Sequence, residues 1–278
     1  MNALEIRSLQ KHRKGFSLDG INLTLPAGCI MGLIGENGAG KTTTIKLMLD
    51  MIRKDGGTVR ILGKDSAEIS KEDIGVVLDE VGLPTCLTAC QVDKIMSNAY
   101  TQWSSDEFFA YLKRLNVPEN KAFSALSRGM KMKLGIACAL SHKAKLLILD
   151  EATSGLDPAV RDEVIDILLD FTRDEEHSVL ISSHIVSDLE KICDYIAFLH
   201  KGRLMLCEEK DRLYEQYGII RCDEKTLSAI EPSAVIGKRV SAFGVEAIVR
   251  RDTVPEGVSI APVGIEELFV FMVKEAAK

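Results

Sequence analysis

Nine consecutive residues, from Gly35 to Thr43, carry the clearest chemical signal in this sequence. They fit the pattern G-x-x-x-x-G-K-[ST], which describes a phosphate-binding loop. The glycines have no Cβ, so backbone N–H groups can close around an anion. Lys41 adds a positive charge for phosphate oxygens, and the Thr42 hydroxyl is a hard oxygen ligand suited to Mg²⁺. The sequence therefore predicts that the chain binds a nucleoside triphosphate.

The predicted phosphate contacts cover the whole loop. The residues assigned to it are Gly35, Glu36, Asn37, Gly38, Ala39, Gly40, Lys41, Thr42 and Thr43. The apolar run 29–34 before the loop has the length of a buried strand. After it, Ile45, Met48 and Leu49 recur at helical spacing. A strand, a glycine loop and a helix in this order point the helix N-terminus at the phosphates.

A second candidate group follows the apolar run 146–149, which is typical of a central strand covered on both faces. Asp150 and Glu151 come directly after it, at the end of a strand where ligands bind in open α/β sheets. Asp150 can hold Mg²⁺ through water, and Glu151 can polarise an attacking water molecule. An exposed acidic pair that merely ends a strand is the alternative, and the upstream phosphate loop argues against it.

Composition limits the functional classes. The 278 residues are 46% apolar and 27% charged with a net charge of −6, which suits one large domain and a small appendage. The charge provides no basic field, so no direct nucleic-acid partner is expected. The seven cysteines are scattered and predict small buried side chains in a reducing compartment. No apolar run approaches the ~18 residues that a membrane span needs.

The order of elements predicts an α/β protein with a largely parallel sheet. Residues 4–25 alternate like an antiparallel hairpin, whereas residues 88–116 lose the β pattern and show helical spacing. Ser127 is placed to cap a second helix, and Asp157 with Pro158 to begin a third. After about residue 217 short Val- and Ile-rich runs and one closing helix follow. We predict a nucleotide-binding domain at 1–217 and an accessory domain at 218–278.

Three later motifs make a resemblance specific. The run Ser127-Arg128-Gly129-Met130 resembles the signature motif of ATP-binding cassette (ABC) ATPases. Residues 154–157 resemble the family's D-loop, and His184 is similar to its switch histidine. The resemblance covers residues 4 to about 206. It implies a P-loop NTPase (RecA-like) core, an antiparallel β subdomain, a helical ABC subdomain at about 86–140, and a small C-terminal α+β appendage.

The resemblance also implies a mechanism in which two cassettes enclose two ATP molecules. Each ATP would lie between Lys41 of one subunit and Ser127 and Gly129 of the other, where the signature helix presents its N-terminus. Glu151 would be the general base, and His184 would contact the γ-phosphate. ATP would hold the dimer together until hydrolysis releases it.

Three positions depart from the family pattern near the metal and the signature. Arg128 stands where small residues are usual, and Met130 replaces a common glutamine. Asp79 stands where the family expects the Q-loop glutamine that links a membrane partner to Mg²⁺. We expect Asp79 to act as a metal ligand together with Thr42 and Asp150. The alternative is a solvated residue that merely ends a strand.

A further departure concerns the adenine. Arg13 stands near the position where an aromatic ring usually stacks on the base, and a guanidinium can itself stack on a flat ring. His12 or Phe16 are the other candidates. Phe16 fits the inward-facing pattern of its strand and is expected to be a core residue. Arg13 is therefore assigned to nucleotide binding.

The resemblance favours one kind of ABC protein. With one cassette and no membrane segment, we expect a homodimer or heterodimer of cassettes bound to integral membrane permease subunits, at the cytoplasmic face of the membrane. The short segment 88–127 and the tail resemble bacterial exporter-type subunits. A soluble ABC ATPase acting on ribosomes or DNA is the alternative, and such proteins usually have two cassettes or long coiled-coil insertions. A subunit without turnover is disfavoured by Lys41, Asp150, Glu151 and His184.

Overall fold

The computed structural model describes residues 1–241, 244–255 and 257–276. The strands are β1 (Asn2–Arg13), β2 (Phe16–Pro26), β3 (Ile30–Ile34), β4 (Gly56–Ile61), β5 (Lys64–Asp65), β6 (Ile74–Val77), β7 (Leu146–Asp150), β8 (Ser178–Ser183), β9 (Tyr195–His200), β10 (Arg203–Glu209), β11 (Tyr217–Cys222), β12 (Val235–Ser241), β13 (Gly244–Arg250) and β14 (Ile260–Ala261). The helices are α1 (Lys41–Met48), α2 (Ala89–Ala99), α3 (Ser105–Arg114), α4 (Arg128–Leu140), α5 (Pro158–Phe171), α6 (Val186–Ile192), α7 (Lys210–Gln216), α8 (Glu224–Ser228) and α9 (Ile265–Ala276).

The N-terminal sheet is antiparallel, as the alternating pattern predicts. Its strand order is β2-β1-β4-β5. Leu4, Ile6 and Leu9 of β1 are buried against the core, while the residues between them face outward. The strands β1 and β2 pair with Arg13 opposite Phe16, so the chain reverses through Lys14 and Gly15. This reversal brings Arg13 and Phe16 side by side at one end of the sheet.

The central sheet brings three chemically important segments to one edge. Its strand order is β10-β9-β3-β8-β7-β6, and every pair except β10 with β9 is parallel. All residues of β3, β7 and β8 are buried, as continuous apolar runs predict for strands covered on both faces. Ile34 pairs with Ser183, and Asp150 pairs with Ser182. The phosphate loop, the acidic pair and His184 therefore leave neighbouring strands at the same edge.

The predicted range of residues 86–140 contains α2, α3 and α4. Thr88 begins α2 with a capping box that includes Gln91. Phe108 and Leu112 of α3 are buried against the main core. Ser127 caps α4, as predicted, because its hydroxyl accepts a hydrogen bond from the backbone N–H of Met130. The cap fixes the start of α4 at the signature residues.

The C-terminal region has a sheet of its own in the order β12-β13-β11-β14. A small core beneath it includes Ile220, Ala247 and Val249. Its last helix, α9, packs on β12 of this sheet and also on the main core: Leu268 and Phe269 belong to the main core, and the Phe269 ring lies 5.2 Å from that of Phe198 in β9. The division at residues 217 and 218 stays a prediction, since α9 returns to the core of the preceding segment.

The exposure of the cysteines differs from what the sequence predicts. All seven cysteines are free thiols, but only Cys193 is buried, whereas Cys86 is exposed. The expectation that the cysteines are all buried is therefore wrong, because Cys86 lies in the loop before α2, away from any core. Within the described residues, no helix has the length and apolar character to cross a membrane.

Candidate functional site

The phosphate loop turns tightly between β3 and α1. Gly40 precedes α1 with a φ of 115°, in the left-handed region that favours glycine. A Cβ on Gly40 would lie 2.8 Å from the Phe16 ring, and one on Gly35 would lie 2.6 Å from the Leu199 carbonyl oxygen. Glycine is therefore required at both positions, because a Cβ would come too close to neighbouring atoms. The spacing of the motif predicts this.

Lys41 lies at the centre of the loop with only 5% of its surface exposed. Its Nζ donates to the carbonyl oxygen of Gly35 at 2.6 Å and lies 3.0 Å from Oε1 of Glu151. A buried ammonium group needs such partners, because burial without them strongly disfavours the charge. Phosphate oxygens that enter the loop would meet a cation already aimed by these contacts.

Asp150 is fully buried at the end of β7. Its Oδ1 accepts a 2.6 Å hydrogen bond from the Ser182 hydroxyl, while Oδ2 has no hydrogen-bond partner among the described residues. A buried carboxylate oxygen without a partner is costly unless a cation or water satisfies it. This donor fits Mg²⁺, which prefers carboxylate, hydroxyl and water oxygens.

Glu151 is held from both sides. Its Oε1 faces Lys41, and its Oε2 accepts a 2.7 Å hydrogen bond from Nδ1 of His184. An ionised carboxylate only accepts, so Nδ1 carries the proton in this contact. The backbone of Glu151 has a φ of 53°, which a non-glycine residue adopts at a cost of about 1 kcal/mol or more. The surrounding contacts therefore impose a defined position on this carboxylate.

Ser182 is a candidate site residue that the sequence reasoning missed. Besides donating to Asp150, its hydroxyl accepts a 3.1 Å hydrogen bond from the backbone N–H of Glu151. One buried side chain on β8 therefore fixes both acidic residues of β7. Nothing in the residue spacing pointed to Ser182, because the contact depends on which strands are neighbours in the sheet.

A cavity of about 410 Å³ opens beside the loop. It is lined by Arg13, Lys14, Phe16, Glu36, Asn37, Gly38, Gly40, Lys41, Thr42, Thr43, Asp79 and Glu151. Gly35 and Ala39, which were assigned to the phosphate site with the rest of the loop, are buried beneath it. The cavity therefore joins the phosphate loop to Glu151, the predicted general base, and to Asp79, a predicted metal ligand.

The end of the cavity beside the hairpin holds two candidates for contact with the base. Arg13 lines it, as predicted, and so does Phe16. The expectation that Phe16 is a core residue is wrong in this respect: its ring is half-buried, packing on the core while bordering the cavity. The physical reason is the position of Phe16 at the very start of β2, where the sheet ends. An aromatic ring is thus available for stacking after all.

Asp79 lies at the rim of the cavity, just after β6. Its side chain is 47% exposed, and its Oδ1 is 2.6 Å from Nη2 of Arg128. The partner was not foreseen. The only hint in the sequence is that both residues depart from the family pattern.

The signature residues lie apart from the cavity. Ser127 is exposed, Gly129 is half-buried, and neither is among the described residues that line it. A Cβ on Gly129 would lie 3.3 Å from a methyl carbon of Leu156 in the predicted D-loop. A single chain therefore does not bring the signature to its own phosphate loop.

The predicted D-loop leads into α5, with Asp157 at the N-cap and Pro158 at the first helical position, as expected. Asp157 makes no side-chain cap. Arg161 donates to the carbonyl oxygen of Leu156 at 3.3 Å and pairs with the buried Asp188 of α6 at 3.4 Å. These contacts join the loop after β7 to the helix that follows His184.

Comparison with known proteins places this geometry in a family. Residues 18–154 match the family described as ABC transporter. Over 190 residues the chain is 37% identical to the bacitracin transport ATP-binding protein BcrA of Enterococcus faecalis, covering 66% of this chain and 62% of that protein. Over 211 residues it is 33% identical to the lantibiotic transport ATP-binding protein SrtF of Streptococcus pyogenes, covering 75% and 91%.

A solved structure shows the same fold. The protein cbiO1 of Clostridium perfringens, part of the ABC transporter complex cbiONQ, superimposes with a TM-score of 0.63 at 24% identity, covering 77% of this chain and 90% of that one. The predicted P-loop NTPase fold is confirmed. The chain belongs to the ABC transporter family and is one of its ATP-binding ATPases.

Proposed function

We propose that this chain is the ATP-hydrolysing subunit of an exporter whose permease is a separate polypeptide. The single observation that carries the chemistry is the placement of Glu151 between Lys41 and His184, at the rim of the phosphate-loop cavity. The bacitracin and lantibiotic transport proteins among its relatives support the exporter class. The transported compound is set by the permease.

Each polar group of the site has a proposed role. Glu151 takes a proton from the attacking water, and His184 orients that carboxylate and contacts the γ-phosphate. Lys41 and the loop N–H groups bind the β- and γ-phosphates. Thr42, Asp150 and Asp79 would hold Mg²⁺, with Asp79 bound directly or through water. The metal would neutralise charge on the phosphate oxygens.

The second half of each ATP site is proposed to come from another cassette. Ser127 and Gly129 stand at the exposed N-terminus of α4, a position suited to an anion. Their separation from the cavity of their own chain supports a contact with the γ-phosphate bound by a partner, in a homodimer or a heterodimer. ATP would then stabilise the pair of cassettes, and hydrolysis would weaken it.

The permease is proposed to contact an apolar groove between β6 and the helical segment. This groove has a volume of about 330 Å³ and includes Val76, Val81, Met96 and Tyr100 in its lining. Leu78 and Glu80 also line it. In the chain they flank Asp79, which the family resemblance assigns to communication with a membrane partner. Docking here would attach the chain to the inner face of the membrane and connect movement of the permease to the metal site.

The test is co-expression with the multi-span protein encoded by the neighbouring gene. We expect the chain to fractionate with the membrane and its ATPase rate to rise with the permease. Val76→Glu, at a position 36% exposed, should abolish both effects. Val240→Glu is the matched control, since Val240 is 61% exposed on the C-terminal sheet. Co-sedimentation with ribosomes, and no effect of the permease on turnover, would contradict the proposal.

A further inference from the structure

One ion pair connects the signature to the metal side of the site. Nη2 of Arg128 lies 2.6 Å from Oδ1 of Asp79, although the two residues are 49 positions apart in the chain. Arg128 is the first residue of α4, and Asp79 follows β6 at the rim of the phosphate-loop cavity. Two of the positions that depart from the family pattern therefore contact each other.

The stem of Arg128 also covers the predicted D-loop. A Cβ on Gly155 would lie 3.8 Å from Cδ of Arg128 and 3.9 Å from its Nε, so the side chain packs across this glycine. The neighbouring Gly129 approaches Leu156 of the same loop. Arg128, at the start of α4, thus contacts the segment after β6 and lies close to the loop after β7.

Folding stability is a poor explanation for this pair. The side chains of Arg128 and Asp79 are 63% and 47% exposed, and pairs at such exposure contribute little to the stability of the fold. Their location has more consequence, because Arg128 lies between Ser127 and Gly129. A contact that fixes the Arg128 side chain also fixes the direction in which the N-terminus of α4 faces.

We propose that Arg128 is a positioning residue that acts through Asp79. The pair holds the start of α4 against the segment after β6 and against Gly155, so that Ser127 and Gly129 are in register to meet the ATP of a partner cassette. This inference rests on the shared site proposed above. Asp79 has two carboxylate oxygens, and pairing through Oδ1 is compatible with a role at Mg²⁺.

The proposal requires a particular kinetic pattern. Loss of the pair should lower kcat, because the signature acts only when two cassettes close over ATP. ATP binding to a single chain should be unchanged, because Arg128 is absent from the cavity lining among the described residues. A role in folding alone would instead lower the melting temperature and reduce all activities together.

The test is a double-mutant cycle of Arg128→Ala and Asp79→Asn, measured as kcat and as the Kd of ATP for isolated chains. The asparagine keeps a neutral oxygen for the metal but loses the charge. We expect Arg128→Ala to lower kcat about 3- to 30-fold in the native background and to have little further effect beside Asp79→Asn, as expected for coupled neighbours. Arg128→Lys should retain most of the rate.

A control ion pair of similar exposure joins α3 to α5. Arg114 of α3 and Asp170 of α5 lie 3.5 Å apart, and neither residue lines the phosphate-loop cavity among the described residues. The cycle of Arg114→Ala and Asp170→Asn should leave kcat unchanged. The proposal would be overturned if the effects of Arg128→Ala and Asp79→Asn on kcat were independent and multiplied. It would also be overturned if Arg128→Ala weakened ATP binding to the isolated chain by the same factor as it lowered kcat. The proposed catalytic chemistry has a separate test: normal turnover by the Glu151→Gln variant would contradict that chemistry.

Discussion

The phosphate-loop side and the signature side of this molecule are built in opposite ways. Lys41 and Asp150 are buried, and they contact Glu151 and Ser182 of the same chain. Ser127, by contrast, is exposed and caps its own helix without reaching the cavity. The candidate catalytic groups are therefore preassembled in each chain, whereas the signature residue is presented outward. Under the proposed mechanism, one cassette would supply half of each active site.

The largest effect is expected on the preassembled side. Glu151→Gln keeps the shape of the side chain and removes the base, so kcat should fall about 10²–10⁴-fold while ATP binding persists. An ATP-bound dimer should accumulate, visible by size-exclusion chromatography. The control is Glu176→Gln, which changes an exposed residue after α5. Wild-type turnover by Glu151→Gln, in protein free of contaminating ATPase, would remove Glu151 from its role.

The next effect is expected on the outward-facing side. Ser127→Arg places bulk and charge at the N-terminus of α4 and should lower kcat by about 10²-fold, as loss of a preorganised donor does. The Kd of ATP for the isolated chain should not change. Ser124→Arg is the control, three residues away and also exposed. If Ser127→Arg weakens ATP binding by the single chain instead, the two sides are not separate.

Ser182 offers a finer test of preassembly. Ser182→Ala removes one hydrogen bond to a carboxylate and one from the Glu151 backbone, so we expect a kcat about tenfold lower. Ser178→Ala removes a buried hydroxyl at the other end of β8, where it accepts from the Gly28 N–H. That control should lower the melting temperature without affecting kcat. Equal effects of the two variants on kcat would show that Ser182 acts only through stability.

The smallest effect is expected on the contacts with the adenine ring of the nucleotide. Phe16→Ala should weaken ATP binding about fivefold, because an aromatic ring that stacks on a base contributes modestly. Arg13→Ala should have a smaller effect if Phe16 is the stacking partner, and a larger one if the guanidinium is. Stacking tolerates either purine, so ATP and GTP should be used within about tenfold of each other. A preference of several hundredfold would mean that another residue reads the base.

Local patterns predicted much of this molecule. The phosphate loop, the buried strand β7 and the capping of α4 by Ser127 all depend on residues within a few positions of each other, where spacing determines the structure. The α/β class followed from the order of these elements. These predictions succeeded because the chemistry and the local fold use the same residues.

The features that were missed depend on contacts between distant segments. Ser182 reaches Asp150 only because β8 lies beside β7, and Arg128 meets Asp79 across 49 positions. Phe16 was expected in the core because its strand alternates, yet the sheet ends at that residue and leaves the ring at the cavity. Packing of α9 on the main core was equally invisible to periodicity, which shows that a face is apolar but not what covers it.

The claim that two chains share each active site is tested most directly by mixing two inactive variants. Lys41→Ala disables the phosphate loop, and Ser127→Arg disables the signature. In a mixed dimer, the Lys41 of one chain and the Ser127 of the other still form one intact site. The account predicts that neither variant hydrolyses ATP alone and that an equimolar mixture regains up to roughly a quarter of the wild-type rate, given random pairing in a two-fold dimer. No recovery in a mixture shown to contain heterodimers would contradict it.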